Sequence, residues 1–174
     1  MKIKSISLTQ INILVKLTVF TVFLAVVAFA PLLKQQFITG PIVNAVLFIS
    51  TVYLGTLAGV LISFLPSLFA VSIGLLPVPL LPMIPYIIMS NIILVLFFGA
   101  FRKKSFWLAA ISASFLKFLF LFLSGSFIIN FFIKETLSAK IAVMMSWPQL
   151  ITALVGSLIA FLVLKISKEN SFND

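Results

Sequence analysis

From Ile42 to Leu76 the chain carries no charged residue, a stretch far longer than the ~20 residues that one bilayer crossing requires. Similar apolar segments, broken only by Pro, Gly or basic clusters, recur along the 174 residues. With 63% apolar and 9% charged residues, a water-soluble surface is excluded, because such surfaces carry about a quarter charged residues. In lipid every backbone N–H and C=O must be satisfied within the protein, and runs this long and continuous do so as helices. The expected fold class is therefore an all-α membrane protein, with residues 1–174 forming one integral membrane domain.

Six helices are predicted. The first covers 13–33 and is followed by a polar loop from Lys34 to Pro41, with Pro41 placed as an early helical residue. The uncharged stretch divides near Leu54-Gly55-Thr56 into helices 42–54 and 55–76, the former short for a span. Pro77, Pro79, Pro82 and Pro85 predict a stiff extended connection. A fourth helix at 83–101 ends in Arg102-Lys103-Lys104, a fifth covers 105–133, and a polar loop runs from Lys134 to Ala142. The sixth covers 147–166, and Ser146-Trp147-Pro148-Gln149 fits a capping box at its start. The N-terminus has the basic residues and small-x-small Ala28-Phe29-Ala30 of a signal peptide, but Pro31 directly afterwards argues against cleavage.

Basic residues choose between five and six spans. Six put Lys2, Lys4, Lys16, Arg102, Lys103, Lys104, Lys165 and Lys168 on the cytoplasmic side, against Lys34, Lys134 and Lys140 outside. Five would place the Arg102 cluster opposite the N-terminal lysines. The expectation is a six-transmembrane-helix bundle with both termini cytoplasmic. The net charge of +9 thus reads as topology and contact with the lipid bilayer, not as a nucleic-acid surface.

The chain has no Cys and no His, which excludes disulfides, thiolate clusters, haem-His ligation and His-based zinc sites. No phosphate-cradling Gly-rich loop is present. One ionisable side chain, Lys117, lies deep within the apolar runs, while Glu135, Glu169 and Asp174 lie outside them. Such a charge usually faces a protein interior or a water-filled cavity and marks a functional path; the alternative is a structural lysine that snorkels to an interface. Ala110, Ser114, Lys117, Leu121 and Ser124 share one helical face, with Phe115, Phe118, Leu119 and Phe122 elsewhere.

Asn44, Asn91 and Gln149 are the polar residues available to join Lys117. Each also has a structural reading: Asn44 bonding the preceding loop, Asn91 as interhelical glue, Gln149 spent on its capping box. Small residues at Gly55, Gly59 and Ser63, at Ala153, Gly156, Ser157 and Ala160, and more weakly at Thr21, Ala25 and Ala28, predict close helix contacts. A Ser114/Lys117 dyad is too easily produced by chance to argue for an enzyme, and no membrane carboxylate is available for ion coupling. No catalytic activity, metal or cofactor is expected.

Six short spans, a small-residue first helix, the run Leu54-Gly55-Thr56-Leu57-Ala58-Gly59-Val60-Leu61-Ile62-Ser63 and a Pro-rich third connection together resemble the substrate-binding S components of energy-coupling factor transporters. The resemblance covers nearly the whole chain. It implies a binding subunit in the cell membrane of a prokaryote that captures a vitamin, a precursor or another micronutrient from outside. A membrane coupling protein and two cytoplasmic ATPases would power uptake. It further implies that Thr21, Ala25 and Ala28 meet the coupling protein and that Asn91, Lys117 and Gln149 lie in the substrate half, with Lys117 pairing a ligand carboxylate or phosphate. The alternative is a membrane scaffold resembling the rod-shape-determining proteins, with no solute to bind.

Overall fold

The computed structural model describes residues 8–72, 78–132 and 142–170, and every regular element among them is helical. Helix α1 (Leu8–Phe29) runs into a 3-10 turn (Ala30–Leu33) and is followed by α2 (Gln36–Tyr53) and α3 (Thr56–Ser72). A second 3-10 segment (Val78–Met83) leads to α4 (Ile84–Phe101), then α5 (Phe106–Phe132) and α6 (Trp147–Asn170). Five apolar spans, Ile13–Leu33, Gln36–Tyr53, Leu81–Phe101, Phe106–Phe127 and Ala142–Ser167, are long enough to cross a membrane, and the apolar helix Thr56–Phe69 is shorter. The chain is a multi-pass membrane protein. Lys2, Lys4, residues 73–77 with Pro77, the loop of Lys134, Glu135 and Lys140, and Asp174 lie outside the described residues.

The α2–α3 boundary falls at Gly55, whose φ of 94° is open to glycine and strained for other residues. Three local expectations are corrected. First, α2 begins at Gln36, not at 42, because the N–H groups of Ile38 and Thr39 both turn back onto the Gln35 carbonyl at 3.1 and 2.8 Å. Pro41 therefore sits inside the helix. The polar run 34–41 looks like a loop because much of it lines a cavity.

Second, Val78–Met83 is wound as a 3-10 segment rather than extended, since the fixed proline φ suits that helix as well as an extended strand. Third, no capping box forms at α6. Ser146 Oγ donates to the Val143 carbonyl at 2.7 Å and Gln149 Nε2 to the Met144 carbonyl at 3.1 Å. A helical turn precedes α6, and its Val143 and Met144 carbonyls take the two side chains.

The bundle has two distinguishable ends. At one, Arg102 Nη1 donates to the Val52 carbonyl at 3.4 Å, placing a cation on the orphan carbonyls that finish α2. At the other, Phe29 of α1 meets Phe69 of α3 with ring centroids 5.9 Å apart. Helix α3 thus starts near the Arg102 end and finishes beside the 3-10 turn that closes α1.

The most extensive helix contact is between α2 and α6, and small residues explain it. A Cβ at Gly156 would lie 2.6 Å from Asn44 Cβ and 2.9 Å from the Pro41 carbonyl oxygen, and one at Gly40 would lie 2.7 Å from Thr152 Cβ. Gly59 is similarly pressed against Thr51 and Val95, whereas Gly55 faces open space. Gly55 is therefore a turn residue, and Gly59 alone of that pair is a packing residue. Towards the Arg102 end the core is solid: Phe48 stands edge-on to Phe98 at 4.8 Å and Phe98 to Phe106 at 5.4 Å. Leu47, Leu94, Val95, Ala110 and Ala113 fill the space around them.

Candidate functional site

Helix α5 turns Ala110, Ser114, Lys117 and Leu121 inward and leaves Phe115, Leu119 and Phe122 on the lipid-facing surface. Small side chains let neighbouring helices approach on one face, while Phe is at no disadvantage in lipid on the other. Lys117 is consequently only 4% exposed. Its Nζ donates to Asn44 Oδ1 of α2 at 2.6 Å and to Asn91 Oδ1 of α4 at 2.7 Å.

Those bonds fix the depth of the cation. At ~1.5 Å per residue, Asn44 lies about 12 Å from one end of α2 and about 14 Å from the other. The ammonium is held at mid-bundle and does not snorkel. Insertion of a lysine at membrane centre costs ~2.5–3.5 kcal/mol, and hydrogen bonds to a charged group return about 1.5–3 kcal/mol each. Two such bonds make the cation tolerable without neutralising it. Asn44 is itself pinned, since its Cβ packs against Gly156 of α6.

Above this cluster, on the side away from Phe48 and Phe98, lies a cavity of about 250 Å³. Lys117, Asn44, Asn91 and Gln149, the four residues singled out in the sequence for binding, all line it. Asn44 was expected near the start of its helix; the earlier start of α2 puts it near the middle, level with Lys117. Gln149 is not spent on a cap, and its amide instead reaches the Met144 carbonyl.

Sequence reasoning missed part of the lining. Gln36 Nε2 donates to the same Met144 carbonyl at 2.8 Å, so the beginnings of α2 and α6 are both tied to the residue that leads into α6. Thr39 Oγ1 donates to the Ala30 carbonyl at 3.1 Å, anchoring the 3-10 turn beside the cavity. Ser67, 5% exposed in α3, also lines it, immediately after Pro66, whose ring removes a helical N–H. Lys34, held at φ 52°, stands at the rim. The signal for Gln36 and Lys34 was their polarity beside a long apolar run; Lys34 does lie between helices as the loop reading had it, whereas Gln36 opens α2, and Ser67 carried no signal.

On α1, Thr21 and Ala25 are exposed and Thr21 Oγ1 is satisfied by the Leu17 carbonyl at 3.0 Å, whereas Ala28 is 5% exposed and packs inward. Among the described residues no group of His, Cys, Asp or Glu could hold a metal ion. The site offers fixed donors around one cation. Comparison with protein-family models, with curated proteins and with solved structures found no match to this chain.

Proposed function

We propose that this protein is the substrate-binding subunit of an uptake transporter of the energy-coupling factor type, and that the cavity on Lys117 is where it captures a small micronutrient from outside the cell. The observation that carries the proposal is the convergence of Lys117, Asn44, Asn91 and Gln149 from four helices on one cavity. A few placed polar groups in an otherwise apolar hollow are the usual make-up of a small-molecule site. A morphogenesis scaffold has no need of such a hollow.

The proposal includes six crossings, with α3 as the short one, and both termini on the cytoplasmic side. In its support, the Arg102–Val52 bond sets the α2–α3 turn beside the Arg102 cluster, and the Phe29–Phe69 contact returns α3 to the opposite end. With the basic cluster inside, the cavity rim at Lys34 faces outward. Energy for uptake would come from a membrane coupling protein and two cytoplasmic ATPases, with Thr21 and Ala25 on the exposed face of α1 open to the coupling protein.

Affinity purification in mild detergent tests this reading. Recovery of an ATPase pair and a third membrane protein, with a small molecule retained on the chain and identified by mass spectrometry, is the expected result. Recovery of cell-wall synthesis machinery, with neither ATPases nor a retained molecule, would overturn it in favour of the scaffold.

A further inference from the structure

Hydrogen bonding at the cavity floor leaves a one-sided inventory. Because Lys117 has only donors, both asparagines must turn their carbonyl oxygens to it. Their amide NH2 groups find no acceptor among the described residues, and the third ammonium N–H is likewise unmatched. The floor therefore asks for acceptors. Charge points the same way, since the described residues lining the cavity include two cations, Lys34 and Lys117, and no acid.

Opposite logic holds nearer the rim. Gln36 and Gln149 both commit their amide nitrogens to the Met144 carbonyl, which leaves their Oε1 atoms as acceptors. No described residue donates to either oxygen. Between floor and rim the walls include Val43, Pro66, Ile87 and Met144. The volume of about 250 Å³ suits a compact small molecule.

We propose that the cavity takes a compact monocarboxylic acid, its carboxylate on Lys117 Nζ and the Asn44 and Asn91 amides, and an N–H or O–H at its far end on the Gln36 and Gln149 carbonyl oxygens. This rests on reading the cavity as the substrate site. One buried cation balances one negative charge. A phosphate monoester, largely dianionic at neutral pH, would bring a second charge that the floor does not match, because Lys34 is exposed at the rim. The two-oxygen carboxylate also suits several donors converging from different helices.

Four related probes separate the parts of the proposal on the purified wild-type chain: 4-hydroxybenzoate, 4-hydroxybenzamide, 4-hydroxyphenyl phosphate and benzoate, each titrated by thermal shift and calorimetry. The hydroxy acid should bind at least about tenfold more tightly than its amide or the phosphate, and several-fold more tightly than benzoate. Lys117→Met should abolish the preference for acid over amide. Gln36→Ala should narrow the hydroxy acid's advantage over benzoate to the part that Gln149 alone supplies.

If the amide or the phosphate binds the wild type as well as the acid, the ligand class is wrong while the site stands. Benzoate binding as well as the hydroxy acid would refute the far-end donor alone. If none of the four probes binds, and Ser67→Phe, which fills the cavity, changes neither retention of a small molecule nor uptake, the reading of the cavity as the substrate site fails with it. The wild-type comparison decides the matter even if a variant does not fold.

Discussion

Lys117 and its two asparagines make an asymmetric set, in which the cation depends on the carboxamides more than they depend on it. Replacing Asn91 with Leu strips a buried charge of one of its two partners and should cost about 1.5–3 kcal/mol of stability, the worth of a hydrogen bond to a charged group. Lys117→Met removes the charge and leaves neutral amides beside a cavity that water can enter. It should cost less than Asn91→Leu, and thermal unfolding in detergent compares the two directly. A larger loss for Lys117→Met would show that the ammonium is a structural strut. The lysine was legible from its isolation among apolar residues. Its partners were legible only as polar residues in other helices, because register between helices depends on side-chain packing that a single-helix pattern does not contain.

At the level of helices, the α2–α6 seam links packing to the site. Gly156→Val would drive side-chain atoms into Asn44 and the α2 backbone, which has no room to yield. Overpacking of this kind costs about 1–3 kcal/mol, and here it should also weaken ligand binding by displacing Asn44. Gly55→Ala has free space but an unfavourable φ; it should cost roughly 1–2 kcal/mol and leave affinity unchanged. Melting temperature together with ligand titration distinguishes them. A second consequence concerns Met144, whose carbonyl receives both Gln36 and Gln149. The double variant Gln36→Ala/Gln149→Ala should speed ligand dissociation several-fold more than association in stopped-flow measurements, because it frees the segment leading into α6. The all-helical, multi-span character of the described residues was readable from apolar run length. The start of α2 and the Pro-rich 3-10 segment were not, because polarity and proline content report solvent or cavity exposure and φ, not whether a turn is wound.

For the molecule as a whole, topology is testable with unusual directness because the chain contains no cysteine. Single variants Gln35→Cys, Tyr53→Cys and Lys103→Cys place a thiol at exposed positions. Under six crossings, an impermeant maleimide added to intact cells should label only the first. Labelling of Lys103→Cys but not Tyr53→Cys from outside would show that α3 does not cross, and the five-span arrangement would replace the one proposed. Basic-residue counting yields only an expected orientation, because it uses nothing but the positions of charges. A cavity could not be counted in the same way, since it is space left over after six helices have packed. The interlocked rings of Phe48, Phe98 and Phe106 close the floor beneath Lys117 as a stopper closes a flask. On the proposed reading, a solute that passes Lys34 meets this closed floor, so the isolated chain in liposomes should retain it without conducting it, which a tracer-flux measurement checks.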